Sequence, residues 1–190
     1  MPSTSKASRF FERADQREYL LCHAINRSVR FRPVLGYFST VSRLGDGWFW
    51  YALILSLPLL EPAAGPGLAL LMAITGLTCA STYKLLKRWL IRERPFISFP
   101  SISCGTPPLD RYSFPSGHTL HAVCFQVMLM AVLPGLALYI LPFTLSVAAS
   151  RVVLGLHYPS DVIVGALIGG TIGYLSAHQL LGAAKAIITG

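Results

Sequence analysis

The amino-acid sequence predicts an all-α integral membrane protein, a bundle of about five transmembrane helices preceded by amphipathic helices lying in the membrane interface. Three observations carry that expectation. The chain is 53% hydrophobic, with a mean hydropathy of +0.56. Only 13% of its 190 residues are charged, whereas an average soluble domain is about a quarter charged. The two basic blocks also lie outside or at the ends of the long apolar runs, as membrane insertion favours. This length suits one domain, read as a basic interfacial segment, 1–44, followed by a membrane-embedded domain, 45–190.

Residues 8–43 contain two apolar fragments, 19–25 and 34–41, interrupted by Arg27, Arg30, Arg32 and Arg43. Such a pattern fits helices lying in the interface rather than a sixth span. The polar, basic start of the chain lacks the apolar run of a cleavable signal peptide. The first predicted span, 45–60, opens with interfacial aromatics and closes before Glu61-Pro62. It is short against the ~20 residues that a bilayer core requires. The second, 67–86, is long enough. A loop rich in Pro, Ser and Gly then leads to Pro115. The third covers 116–133, the fourth 135–154 with an expected kink at Pro142, and the fifth 160–181. Gly165, Gly169 and Gly173 share one face of the last helix, which predicts close packing inside the bundle.

Net charge is +8, set by eight basic residues in 1–46 and six in 84–111, with Arg151 and Lys185 beyond them. The first block is read as positive-inside bias with anionic-lipid contact. No aromatic-interleaved basic module or recognition helix is present, so nucleic acid is not an expected partner. Cys22, Cys79, Cys104 and Cys124 show no paired spacing, so neither a zinc site nor a disulfide framework is expected.

Three short blocks carry chemistry. In KRWLIRERP (87–95), Lys87 and Arg94 are seven residues apart, which places them on one helix face about 10.5 Å apart along the axis. Arg88 and Arg92 then point elsewhere. Pro95 disfavours helical dihedrals at Arg94, so the helix is expected to end there with Arg94 turned inward. A lysine point charge and an arginine fork suit the oxygens of a phosphoryl group. Alone, the block equally describes a solvated juxtamembrane cluster. In PSGH (115–118), Ser116 is a good N-cap and Gly117 lets backbone approach a ligand. The free amides of the first turn then face an anion, with His118 beside it.

The third block, SRVVLGLHYPSD (150–161), sets Arg151 six residues before His157 and Asp161 four after it. Asp161 falls in the first turn of the last helix and reaches back toward His157. A carboxylate accepting the Nδ1 proton leaves Nε2 free as a nucleophile. A capping aspartate and an interfacial histidine explain each residue singly, but not their company.

These blocks resemble the three-part motif of the type 2 phosphatidic acid phosphatase superfamily, which also includes vanadium haloperoxidases. That pattern is Lys-x6-Arg-Pro, then Pro-Ser-Gly-His, then Ser-Arg-x5-His-x3-Asp. Lys87, Arg94, Pro95, Pro115, Ser116, Gly117, His118, Ser150, Arg151, His157 and Asp161 fill every position. The resemblance implies a metal-independent, cofactor-free lipid phosphate phosphatase. His157 is then the nucleophile that forms a phosphohistidine, oriented by Asp161, and His118 the general acid and base. Lys87, Arg94, Arg151, the Ser116 hydroxyl and the Gly117 amide would hold the phosphoryl oxygens. Expected substrates are phosphatidic acid, phosphatidylglycerol phosphate or undecaprenyl diphosphate. The alternatives are a vanadate-dependent haloperoxidase, against which the apolar spans argue, and a silent lipid-binding protein.

Localisation follows as a multi-pass protein of the cytoplasmic membrane. Basic residues at the N-terminus favour the cytoplasm for the side shared with the three blocks, whereas bacterial relatives place the site outside. The resemblance decides for the extracytoplasmic face. Among remaining polar residues, His121 and Gln126 are either functional, as rare intramembrane polar groups often are, or hydrogen-bonded to neighbouring helices. Asp110 and Arg111 either shape substrate access or, the reading preferred, form a surface pair.

Overall fold

The computed structural model describes the backbone of residues 6–189 and the side chains of residues 13–182. Among these residues there are α-helices, one 3-10 turn and one π turn, and no strand. The N-terminal region forms α1 (Lys6–Asn26) and α2 (Arg32–Arg43), separated by the 3-10 turn Arg27–Arg30. A π turn, Leu44–Trp48, leads into α3 (Phe49–Leu60), and α4 (Gly65–Trp89) returns beside it. After the short α5 (Pro95–Ser98) and a long loop come α6 (Gly117–Val132), α7 (Pro134–Val153) and α8 (Pro159–Thr189).

Among the described residues, three helices are long and apolar enough to cross a membrane: α4, α7 and α8, the last counted from Pro159 to Gly182. The helix α6 is apolar but has 16 residues, about 24 Å at 1.5 Å per residue. The expected first span begins later than its sequence implies. Gly47 adopts φ 136°, which kinks the run and leaves α3 with 12 residues. Pro142 does not interrupt α7, which continues through it.

The core of the bundle is α6, which packs against α4, α7 and most extensively α8. Glycines make the α6–α8 approach possible. A Cβ at Gly165, Gly169 or Gly173 would lie 2.6, 2.1 or 2.5 Å from the carbonyl oxygens of Ser116, Leu120 and Cys124. The glycine face therefore serves packing within the bundle, as its spacing predicts. Polar ties are few. His121 sets its two ring nitrogens 2.9 and 3.1 Å from the carbonyls of Gly117 and Gly76, and Gln126 joins Ala137 and Thr144 of α7. Both make the interhelical contacts considered for them, and His121 also borders the cavity described below. All four cysteines are free.

At one end of the bundle α1 packs on α5 and α7, and α2 on α7. Asn26 fastens this layer, since its amide bonds to Ser103 and to the Val153 carbonyl at 2.8–2.9 Å. The three sequence blocks open at this same end.

Candidate active site

Six of the eight residues singled out from the sequence line one cavity of about 690 Å³: Lys87, Arg94, Gly117, His118, Arg151 and His157. That volume lies within the ~300–1,000 Å³ usual for small-molecule sites. Its other wall is apolar, formed by Trp50, Ile54 and Leu55 of α3 and Met72, Ala73 and Leu77 of α4. Ser116 and Asp161 are fully buried behind this lining. Ser116 caps α6 as expected, accepting from the Thr119 amide at 3.4 Å and pairing with the Thr119 hydroxyl at 2.9 Å. Its cap opens the helix N-terminus onto the cavity at Gly117 and His118.

The first block differs in detail from its sequence expectation. Helix α4 stops at Trp89, so Lys87 and Arg94 do not share a helix. Arg94 is extended, at φ −80° and ψ 151°, the conformation a following proline favours. What brings the two cations together is Asp110. Its carboxylate accepts from Lys87 Nζ at 2.7 Å and from Arg94 Nη2 at 2.8 Å. Asp110 is therefore no partner of Arg111, whose contact is a 4.0 Å approach to Glu93. Burial pushes the Asp110 carboxyl up, but the Lys87 hydrogen bond and the charges of Lys87 and Arg94 outweigh it and hold it below its ordinary value.

The nucleophile candidate sits in the connector between α7 and α8. Gly155, at φ 72°, turns the chain there, and the His157 amide bonds back to the Arg151 carbonyl at 3.0 Å. His157 Nε2 accepts from Arg94 Nη1 at 3.2 Å, while Nδ1 lies 3.5 Å from Asp161 Oδ2. Because an arginine only donates, Nε2 is the unprotonated nitrogen, while Nδ1 has no hydrogen-bond partner among the described residues and faces Asp161 across that gap. Burial, followed by the charges of Arg94, Arg151 and Lys87, drives its proton affinity well below the ordinary histidine value. A neutral ring at neutral pH is what a nitrogen nucleophile needs.

Arg151 is buried, donates to the Ser42 hydroxyl, and keeps an Nε with no hydrogen-bond partner among the described residues. A buried guanidinium with an open donor beside a cavity is a site prepared for an anion.

Two neighbours of the site residues were not singled out from sequence. Asp46, in the Gly45-Asp46-Gly47 turn, makes a very short contact with His118 Nε2. Its only sequence signal is a carboxylate between two glycines. Arg92, expected to point away, is instead buried and donates to Asp161 Oδ1 at 2.6 Å. The helix break after Trp89 is the reason, because it removes the helical phase that would have turned Arg92 outward.

The family model described as the PAP2 superfamily matches residues 66–184, more than half of the chain and all three blocks. The chain belongs to the PAP2 superfamily. Its curated relatives are phosphatases. Decaprenylphosphoryl-5-phosphoribose phosphatase of Mycobacterium tuberculosis is 31% identical over 173 residues, covering 85% of this chain and 90% of that protein. Phosphatidylglycerophosphatase B of Bacillus subtilis is 34% identical over 97 residues, 45% of each chain. Among solved structures, Aquifex aeolicus LpxE aligns with a TM-score of 0.66 at 26% identity, covering 82% of this chain and 92% of that one. A transmembrane PAP2-type phosphatidylglycerolphosphate phosphatase from Bacillus subtilis aligns with a TM-score of 0.68 over 98% of both chains, and at 23% identity it speaks for the fold. The chain is thus a multi-pass, helical membrane member of a phosphatase family.

Proposed function

We propose that this protein hydrolyses the phosphomonoester or diphosphate of a membrane lipid, of the phosphatidic acid, phosphatidylglycerol phosphate or undecaprenyl diphosphate type, through a phosphohistidine. The observation that carries this reading is the cavity itself. One end holds two histidines and three cations, and the other is walled by apolar side chains of α3 and α4. A phosphate head and a hydrocarbon tail fit those two ends in one orientation.

In the proposed reaction Lys87, Arg94 and Arg151 hold the phosphoryl oxygens, helped by the amides at the Ser116-capped start of α6. His157 Nε2 attacks phosphorus as the bond to the leaving oxygen breaks, and His118 donates the proton which that oxygen takes up. His118 then removes a proton from water, whose oxygen attacks phosphorus, releasing inorganic phosphate and regenerating His157. Asp161 keeps the Nδ1 proton of His157 in place. The developing charge meets side-chain cations, so the reading calls for no metal and no cofactor.

We place the protein in the cytoplasmic membrane, with residues 45–190 as the embedded domain, 1–44 at the interface and the site on the extracytoplasmic face. The family alignment supports the embedding, and labelling of a Ser103→Cys variant from either side tests the orientation. The activity is tested with detergent-solubilised protein and a panel of lipid phosphates in EDTA. Phosphate release is expected to persist there, to disappear in His157→Ala and to fall about 10²–10⁴-fold in His118→Ala. Full activity in His157→Ala would remove the nucleophile and the mechanism with it.

A further inference from the structure

Outside the three motifs, a buried cluster of charges joins α1 to the first turn of α8. Arg92 is its centre. Nη1 donates to Asp161 Oδ1 at 2.6 Å and to the Ser160 hydroxyl at 2.7 Å. Nε donates to Asp15 Oδ1 at 2.8 Å, and Nη2 to Glu18 Oε1 at 3.0 Å, both on α1. The guanidinium also lies 3.9 Å above the Tyr158 ring. It therefore grips the residue after His157 and the carboxylate that faces the His157 ring.

We propose that Arg92 is a positioning residue for the nucleophile His157, acting through Asp161, and that α1 is thereby part of the catalytic apparatus. The proposal rests on the phosphohistidine reading above. Asp161 has two oxygens with separate duties. Oδ2 accepts from the Tyr158 amide at 2.9 Å and faces His157 Nδ1 at 3.5 Å. Oδ1 is held by Arg92, which fixes the rotation of the carboxyl and hence the direction of Oδ2. Without that grip a buried carboxylate is free to turn, or to take up a proton, and either change leaves the His157 ring unoriented.

Arg92 is itself set from α1. Asp15 and Glu18 hold two of its nitrogens, and Glu18 also accepts from the Ser160 amide at 2.9 Å and hydroxyl at 2.7 Å. Glu18 thus caps α8 where a carboxylate is favoured by the helix dipole. The cluster sets one cation among three carboxylates, and their charges keep Arg92 protonated above its ordinary value despite burial. A structural pin would need neither three carboxylates nor contact with the catalytic aspartate. Geometry of this kind is worth much in catalysis, since a displacement near 1 Å lowers turnover about 10²-fold.

The test uses the full-length protein in detergent micelles with phosphatidic acid. Arg92→Gln is expected to lower kcat about 10²-fold with KM changed less than about twofold. Arg92→Lys, which keeps the charge but loses the fork, should recover part of that loss. Glu18→Gln should lower kcat by a smaller factor, again at constant KM. In a cycle with Asp161→Asn, the Arg92→Gln loss should vanish, because its route has already been removed. Additive losses in that cycle, a rise in KM at unchanged kcat, or wild-type turnover in both Arg92→Gln and Glu18→Gln would overturn the proposal. Should Arg92→Gln fail to fold, the same cycle run with Glu18→Gln decides by the same criterion. Activity in His157→Ala would instead sink the underlying reading, whatever Arg92 does.

Discussion

Replacing Gly169 with alanine sets two known effects against each other. In an isolated helix the change stabilises, since alanine is about 1 kcal/mol better than glycine. In α8 the new Cβ would lie 2.1 Å from the Leu120 carbonyl oxygen and 2.9 Å from its carbon. Ordinary contact begins near 3.4 Å, so about 1.3 Å of separation must open between α6 and α8. The obstacle is backbone in the middle of a helix, which cannot swing aside as a side-chain tip can. Overpacking of this kind costs about 1–3 kcal/mol, and rigid backbone argues for the upper part of that range, which exceeds the propensity gain. A net loss of about 1–2 kcal/mol lowers the melting temperature by about 3–6 °C for a chain of this size. Activity should fall as well, because α6 carries His118 at its start and α8 carries Asp161. A shift near 1 Å between them is expected to lower kcat about 10–100-fold. Gly170→Ala is the matched control, since its Cβ meets only Val123 Cγ1, at 3.8 Å. It should keep turnover and melt at the wild-type temperature or above. Thermal unfolding and phosphate release in the same detergent decide the matter. If Gly169→Ala proves as stable and as active as Gly170→Ala, the close approach of α6 and α8 does not position the site.

Two further outcomes follow from the site's charges. His157 holds its proton far more weakly in the folded protein than in the unfolded chain. The stability this gives is present above about pH 6.5, the ordinary histidine value, and is lost as pH falls below it. Melting temperatures measured between pH 7.5 and 5.0 should therefore decline, and His157→Ala should show a shallower decline. Asp46→Asn removes the negative charge beside His118 while keeping its size. It is expected to lower kcat about tenfold, as loss of a partner to a general acid would, and unchanged turnover with phosphatidic acid would assign Asp46 to the fold alone.

The sequence disclosed most of the helices and the polar set, for identifiable reasons. Apolar runs bounded by Pro and Gly locate α4, α6 and α7, and the start of α8, within a few residues. The fixed spacings of the three blocks bring Lys87, Arg94, His118, Arg151 and His157 to one cavity. What stayed hidden depends on contacts distant in the chain. Nothing local tells that α4 ends at Trp89 rather than at Arg94, since no glycine or proline marks that break. With the helix wrongly extended, Arg92 falls on the outer face. Asp15 and Glu18 look like ordinary charges of an amphipathic helix, and only the docking of α1 against α5 and α7 brings them to Arg92. Asp110 sits beside Arg111 in sequence, and its true partners lie 16 and 23 residues back.

The carboxylates around these cations, Asp161 of the third motif among them, share a physical role. Lys87, Arg94 and Arg92 are buried together at the edge of an apolar bundle, where unpaired like charges would repel strongly and lose hydration. Each has an acidic partner: Asp110 serves Lys87 and Arg94, while Asp15, Glu18 and Asp161 serve Arg92. The pairings differ in access. The side chain of Asp110 is 38% exposed, whereas that of Asp161 is wholly buried. On the proposed reading, an incoming phosphate would displace the Asp110 carboxylate into solvent, exchanging one anion for another on Lys87 and Arg94. It cannot displace Asp161 without uncovering Arg92. On the proposed roles, Lys87 and Arg94 share a carboxylate that reaches solvent, whereas Arg92 is held by that of Asp161, which does not.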